Sequence, residues 1–408
     1  MTASLLRTNR NFRLLFSSSI VTNLGDGVSA LALPWFATLL TRDPVLIGLV
    51  AAAQRLPWLL FALPAGVWTD RADHRRLMAR ADLLRCGLTL GIVALALSAP
   101  AQGQVIWPLA LLAFLLGSAE VLRDNAAQTI LPRVVAPQDL ERANGQMWSA
   151  EQVTGQFIGP PLAGVLIGLG IAVPFGFDAA TFALAALLVW LMVLPPRAAP
   201  APQRFFAALR EGALWIWAHK TILHLALMLG CVNFLHIGCF TILVLYAQEV
   251  LGLTALGHGL LLTCGAAGGV IGGLVAPRVA ARLGMRASLV AAMAVFLGGY
   301  LLLALWASPV VAGIALFIEA AASMLWNVVT VSYRQRKIPG EILGRVNSIY
   351  RFFGWGSMPL GALFGGAMVA MAAEPLGRDL ALRLPFVVAA AGMAVLCLIV
   401  AFRLRLDR

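Results

Sequence analysis

The sequence has few charges: only 12% of its 408 residues are Asp, Glu, Lys or Arg, whereas 61% are hydrophobic. A soluble domain cannot bury that much apolar side chain, whereas a helical membrane bundle exposes it to lipid. Cysteine is also scarce, with five residues and no Cys-x-x-Cys pair, so neither disulfides nor a bound metal are expected. There is no phosphate-binding G-x-x-x-x-G-K-[ST] loop, which argues against direct use of ATP. With no nucleophile constellation either, we expect neither an enzyme nor a cofactor.

Apolar runs of about twenty residues, each enough to cross a bilayer core, recur along the whole chain. They predict an all-α integral membrane protein with twelve transmembrane helices, near residues 12–40, 44–68, 77–99, 104–123, 145–172, 174–194, 221–250, 255–281, 287–307, 309–333, 344–373 and 380–403.

A proline-rich stretch divides these runs into two sets of six. Because proline cannot continue a helix, it predicts a cytosolic linker over 195–220, which also holds an amphipathic helix on the inner membrane face. The six-helix bundles are then 1–194 and 221–408. Asn125 and Asn327 occupy matching places about 200 residues apart, as two pseudo-symmetric halves would give.

The net charge of +12 reflects topology rather than a nucleic-acid partner. With the N-terminus inside, most basic residues fall in cytosolic loops and helix ends, and the outer loops keep Arg42, Arg378 and Arg383. This positive-inside asymmetry places both termini in the cytosol. We expect a multi-pass monomer in the inner (plasma) membrane of a bacterium, in contact with lipid.

A charged loop separates the second and third apolar runs. Its pattern, G-x-x-x-D-R-x-x-x-R-R, is formed by Gly66, Asp70, Arg71, Arg75 and Arg76. A soluble protein has no reason to place these charges on a short tether between two membrane-length helices. A transporter can use them to lock two helical bundles together and release them.

The fifth apolar run carries glycine and proline at helical spacing. Gly155, Gly159 and Gly164 are placed to let a neighbouring backbone approach closely. Pro160 and Pro161 remove backbone hydrogen bonds and bend the helix. The alternative interpretation is a plain packing face.

Both motifs resemble those of the major facilitator superfamily. The loop is similar to the one between helices 2 and 3 of that family, although Asp73 and His74 replace a glycine and an arginine of the pattern. The fifth run resembles the helix 5 motif of facilitator antiporters, which export drugs against protons. The opening run 11–44, with 56–58 and 131–132, is similar to macrolide-efflux and enterobactin-type siderophore exporters. The resemblance implies that the charged loop is a cytosolic latch.

Ionisable side chains inside a bilayer are costly and are therefore functional candidates. Asp26 lies in the middle of helix 1 at a depth similar to Arg55 of helix 2, so the pair either exchanges a proton or forms a static ion pair. Glu319 in helix 10 either faces a cavity or is a satisfied structural carboxylate. Glu120 either joins a local salt-bridge cluster with Arg123 or transfers protons. The proton-coupling candidates are Asp26, Glu120 and Glu319.

The candidates for contact with a substrate are polar and aromatic side chains within the helices. They are Asp26, Trp35, Arg55, Asn233, His236, Glu319, Trp326, Asn327 and Arg351. For Asn233 and His236 a hydrogen-bonded core role is the alternative, and Arg351 can simply extend its charge to the membrane surface. Asp178 is interpreted as a carboxylate at a helix start, stabilised by the helix dipole.

The sequence therefore predicts a secondary transporter that exports amphipathic, drug- or siderophore-like small molecules by proton antiport with alternating access. One alternative is an importer or uniporter of the same fold, which the fifth-run motif argues against. The other is a non-transporting membrane sensor or scaffold.

Overall fold

The computed structural model describes residues 5–98, 105–194, 205–339 and 342–402, except for the side chains of 62–71, 205–209 and 344. Within these ranges the chain is helical and contains no strand. The α-helices are α1 Leu5–Thr8, α2 Arg10–Leu40, α3 Pro44–Arg71, α4 His74–Ser98, α5 Ile106–Val134, α6 Leu140–Glu151, α7 Gly159–Leu169, α8 Val173–Trp190, α9 Phe205–Ala218, α10 Lys220–Leu245, α11 Ala255–Leu305, α12 Pro309–Lys337, α13 Leu343–Gly356, α14 Met358–Leu376 and α15 Arg378–Phe402. The predicted all-α fold class is confirmed.

Two π-helical segments interrupt the α-helical geometry. Gln152–Ile158 joins α6 to α7, and Tyr246–Val250 extends α10. In the first segment the Gly159 amide donates to the Thr154 carbonyl, five residues back, and α7 then begins with proline in its first turn. The bend expected from Pro160 and Pro161 thus coincides with a π turn, a frequent cause of helix kinks.

Nine helical segments within the described ranges are long and apolar enough to cross a membrane. One of them, α11, has 51 residues and a non-helical conformation at Gly284 (φ 75°, ψ 172°), which glycine adopts readily. Its length of about 75 Å exceeds twice the thickness of a bilayer core. The predicted spans 255–281 and 287–307 both lie in α11, on either side of Gly284.

Helix contacts divide the chain into two compact units. The first comprises Met1–Thr41, Ala53–Pro202 and Ala255–Gly259, and the second comprises Arg42–Ala52, Gln203–Thr254 and Leu260–Arg408. The predicted boundaries of the two bundles and the linker stay a prediction, since short pieces of α3 and α11 group with the other unit.

Each unit has its own hydrophobic core. In the first unit, Phe12 of α2 packs with buried side chains that include Met78 of α4 and Ile130 of α5. In the second unit, Tyr300 of α11 and Phe386 of α15 are buried in a larger cluster. Both cores are assembled from helices distant in sequence, so each unit depends on tertiary packing rather than on local helix propensity.

A polar cluster explains why residues 42–52 belong to the second unit. Arg378 donates to both carboxylate oxygens of Glu249, at 2.8 and 3.1 Å, and to the Arg42 carbonyl at 2.9 Å. Arg383, the remaining basic residue assigned to an outer loop, pairs with Asp379. The bidentate geometry makes Arg378 the strongest link in this cluster.

The predicted amphipathic segment is helical as α9. Its Ile216 is fully buried, whereas Leu214 and Trp217 are exposed. Glu211 forms an ion pair with Arg345 of α13, and Gly212 lies against the Arg345 backbone. One face of α9 is therefore fixed to the second unit, and its apolar outer face has the character of an interfacial helix.

Candidate functional site

A network of charged side chains lies inside the first unit. Arg85 of α4 forms an ion pair with Asp26 of α2, and only 4% of the Arg85 side chain is exposed. Asp82, one turn before Arg85, is fully buried, with its Oδ1 at 3.9 Å from Arg85 Nη1 and 3.5 Å from Arg123 Nε. Burying a charged group is costly unless an opposite charge compensates it, so these groups depend on one another.

Arg123 of α5 forms the other end of the network. Its Nη1 is 3.6 Å from Asp124, and its Nη2 donates to the hydroxyl of Thr22 at 2.9 Å. Three carboxylates, Asp26, Asp82 and Asp124, thus share two guanidinium groups. When all are ionised, one negative charge remains without a matching positive charge.

Together with Asp124, whose side chain is 36% exposed, Asp26 is a partly exposed member of this network. Its side chain is 38% exposed, whereas the side chains of Arg85 and Asp82 are buried. A proton that arrives from outside the network would therefore reach Asp26 or Asp124 before it reaches the buried Asp82. Asp26 can therefore bind a proton at the exposed part of its carboxylate, while the ion pair with Arg85 keeps its side chain in position.

A further carboxylate lies on α8 of the same unit. Asp178 accepts hydrogen bonds from the hydroxyls of Ser29 and Thr181 and is buried. A Cβ atom on Gly25 would lie 2.2 Å from Asp178 Oδ1, so this glycine of α2 makes room for the carboxylate. The interpretation of Asp178 as a dipole-stabilised helix-start residue is incomplete, because its side chain is held by α2.

The structure contradicts the predicted pairing of Asp26 with Arg55. Arg55 is exposed on α3, and the ion pair to Asp26 comes from Arg85. Similar depth in antiparallel helices does not fix their rotation, so it does not determine which cation pairs with Asp26. The sequence did contain a signal for buried charges in this region. Asp82 and Arg85 are two opposite charges one turn apart within an apolar run.

Glycines bring α2 and the α6–α7 run into backbone contact. A Cβ atom on Gly27 would lie 2.2 Å from the Gly155 carbonyl oxygen, and one on Gly159 would lie 2.6 Å from the Gly27 Cα. A Cβ on Gly164 would lie 2.5 Å from the Cα of Leu256. Real Cβ atoms do not approach backbone so closely, so no larger residue fits without displacing a helix.

In the second unit, Glu319 of α12 is 3% exposed, and its Oε1 has no hydrogen-bond partner among the described residues. It lines a cavity with His236 of α10 and Tyr300 of α11, where His236 Nδ1 is 3.1 Å from the Tyr300 hydroxyl. The structure thus brings together two predicted residues, Glu319 and His236. It does not give Glu319 the partner that a satisfied structural carboxylate needs.

The remaining predicted substrate residues are dispersed. The Trp35 ring is 6.2 Å from that of His258, within the first unit. In the second unit, Asn233 donates to the Gly354 carbonyl at 2.8 Å. Trp326 is buried, whereas Asn327 and Arg351 are exposed, the latter beside Trp355.

Glu120 is half-buried on α5, one turn before Arg123. Arg123 pairs with Asp82 and Asp124. The predicted cluster around Arg123 therefore exists, but its carboxylates are Asp82 and Asp124. Proton transfer by Glu120 stays a prediction.

The predicted latch is described only in its second half. The side chains of Gly66, Asp70 and Arg71 lie outside the described residues. Arg75 donates to the Met192 carbonyl at 2.7 Å and so binds the end of α8 in its own unit. Arg76 pairs with Asp73. The latch itself stays a prediction from the loop pattern.

Solved structures share this fold. A bacterial homologue of the human lysosomal transporter Spinster aligns over 97% of this chain and 98% of its own, with a TM-score of 0.74 and 17% identity. A D-xylose–proton symporter aligns over 98% of both chains, with a TM-score of 0.74 and 12% identity. These likenesses show the fold of the chain, which is that of the major facilitator superfamily.

The chain belongs to the transmembrane secretion effector family of that superfamily, whose model matches residues 3–407. It is 26% identical over 220 residues to the multidrug efflux pump Tap of Mycobacterium tuberculosis, covering 50% of both chains. It is also 26% identical over 379 residues to the enterobactin exporter EntS of Salmonella typhi, covering 90% of this chain and 88% of that one. The chain thus spans about half the length of the Tap relatives that it matches. These proteins are membrane transporters, not enzymes.

Proposed function

We propose that this protein exports amphipathic small molecules, drug-like or siderophore-like, by proton antiport with alternating access. The observation that carries the proposal is the network of three carboxylates and two arginines inside the first unit, with Asp26 as a partly exposed member. One proton would balance the leftover negative charge. A transporter can use such a site by exposing it first to one side of the membrane and then to the other.

Two further observations support export. The relatives are named as a multidrug efflux pump and an enterobactin exporter. The glycines at 155, 159 and 164 make the backbone contacts that the helix 5 motif of facilitator antiporters would require. The same proposal includes the class of cargo, a monomeric state and the cytosolic placement of both termini. It also includes contact with the substrate by Trp35, Asn233, Trp326, Asn327 and Arg351.

The experiment uses the purified chain in proteoliposomes, with ethidium as a drug-like probe and enterobactin as a siderophore probe. One unit of pH difference supplies about 1.4 kcal/mol per proton, enough for about tenfold accumulation of a neutral cargo in one-to-one exchange. We expect accumulation of at least one probe when the gradient is imposed. Replacing Asp26 with asparagine should reduce accumulation to the level of equilibration, because the amide cannot release a proton.

The matched control is Glu141→Gln, which removes an exposed carboxylate of α6 and should leave accumulation unchanged. Equal uphill transport after an ionophore has collapsed the gradient, without sodium, would contradict proton antiport. Movement only down the substrate gradient would favour the uniporter, and no movement of either probe would favour a sensor or scaffold.

A further inference from the structure

Glu319 differs from the carboxylates of the first unit because, among the described side chains that line its cavity, no arginine or lysine accompanies it. The side chains that line its cavity are His236, Cys239, Phe240, Leu243, Tyr300, Leu303, Leu316 and Phe386. None of these is a permanent cation. An ionised carboxylate buried without a positive partner costs several kcal/mol. The site is therefore stable only when a bound positive species neutralises the charge of Glu319.

The size of the cavity limits what that occupant can be. Its empty volume is about 210 Å³, below the roughly 300–1,000 Å³ of sites for drug-sized ligands. The part that water can enter has room for about one water molecule. A drug or siderophore does not fit here, so Glu319 is poorly placed as a substrate contact in this structure.

The chemistry of the cavity wall also argues against a metal cation. Hard cations are held by about six or more oxygen ligands. Among the lining residues, the side-chain oxygens are those of Glu319 and Tyr300, and most of the other side chains are apolar. A sodium ion would lose most of its hydration without replacement.

A proton satisfies both the small size of the cavity and its shortage of oxygen ligands. The neighbouring side chains also include groups that can exchange a proton. Gly299 allows Glu319 to lie against α11, since a Cβ atom there would be 2.6 Å from Glu319 Oε1. The adjacent Tyr300 places its hydroxyl 3.1 Å from His236 Nδ1 and so orients the imidazole. Cys239 is the remaining titratable group of the cavity.

We propose that Glu319, His236 and Tyr300 form a proton-binding site in the second unit that excludes sodium. In this cavity the proton is on Glu319, one water molecule links the carboxyl group to His236, and Tyr300 is the positioning residue. The use of this site during export rests on the proposed antiport, whereas its occupation by a proton does not.

Infrared spectra recorded as a function of pH test the site without transport, on the full-length protein in lipid nanodiscs. We expect the carbonyl band of a protonated carboxyl group near neutral pH. The band should be lost in Glu319→Gln, shifted in Glu319→Asp and retained in Glu374→Gln, which removes an exposed carboxylate. Tyr300→Phe should change the pH at which the band disappears, since it removes the hydroxyl that lies 3.1 Å from His236 Nδ1.

Sodium chloride should leave the band unchanged when it replaces choline chloride. The proposal is overturned if wild type and Glu319→Gln have the same spectrum, or if sodium removes the band. If Glu319→Gln does not fold, an unshifted band in Glu319→Asp overturns it as well. A Glu319 band in a protein that shows no pH-driven transport would contradict the proposed function and leave the proton site standing.

Discussion

Replacing Gly159 with leucine should abolish export while the protein still reaches the membrane in normal amount. Even a Cβ atom at this position would lie 2.6 Å from the Gly27 Cα and 2.7 Å from the Gly27 carbonyl carbon. Both are backbone atoms of α2, which cannot turn aside as a flexible side chain can. Overpacking of this kind costs about 1–3 kcal/mol, and here the cost falls on the contact between α2 and α7. We expect a displaced α7 and a leak of small solutes.

The matched control is Gly168→Leu in the same helix. No atom lies within 4 Å of a Cβ built on Gly168, so leucine there adds the same apolar bulk without a clash. Resistance of cells to toxic dyes and leak of a small dye from proteoliposomes are the measurements. Wild-type export by Gly159→Leu would show that the glycine motif is a plain packing face and would remove support for the antiporter assignment.

Replacing Arg85 with leucine should lower the free energy of unfolding by about 3–5 kcal/mol, the range for breaking a buried ion pair from one side. Arg85 is the partner of Asp26, lies 3.9 Å from the fully buried Asp82, and places its guanidinium 4.0 Å from the centre of the Phe182 ring. Without it, Asp82 keeps only Arg123. Unfolding of the solubilised protein by heat or denaturant measures the loss.

Arg80→Leu is the control, because Arg80 is exposed on the same helix and its loss should change stability by less than about 0.5 kcal/mol. The double variant Arg85→Leu/Asp82→Asn should recover part of the stability, since it removes the orphaned charge. If Arg85→Leu unfolds as the wild type does, the ion pairs around Asp82 are not what stabilises this unit.

The sequence was sufficient for the fold because hydropathy and the placement of arginine both follow from the bilayer. It also singled out Asp26 and Glu319 as candidates, because an acidic residue within an apolar run can be recognised without knowledge of its neighbours. The partner of Asp26 was not predictable in the same way. A period of 3.6 residues tells which residues of one helix share a face, but not which neighbouring helix that face meets.

Arg85 and Arg123 show a second limit. In sequence both arginines resemble the basic residues at cytosolic helix ends, so the positive-inside pattern accounts for them as topology signals. In the structure they are buried and compensate carboxylates on other helices. Charge counting along a chain therefore cannot separate an arginine that sets topology from one that compensates buried carboxylates.

The π-helical segments determine which changes of length this fold tolerates. Each residue of an α-helix turns the chain by about 100°, and a π turn contains about one residue more than an α turn. Deleting one residue from Gln152–Ile158 would leave an unbroken α-helix, with no backbone group newly exposed to lipid. The helices on either side would keep their relative rotation, because the π turn already accommodates the extra residue within one turn. A one-residue gap at this segment, or at Tyr246–Val250, is thus where an alignment of relatives should differ in length, and each such gap would leave unchanged which side chains of the adjoining α-helix face its neighbours.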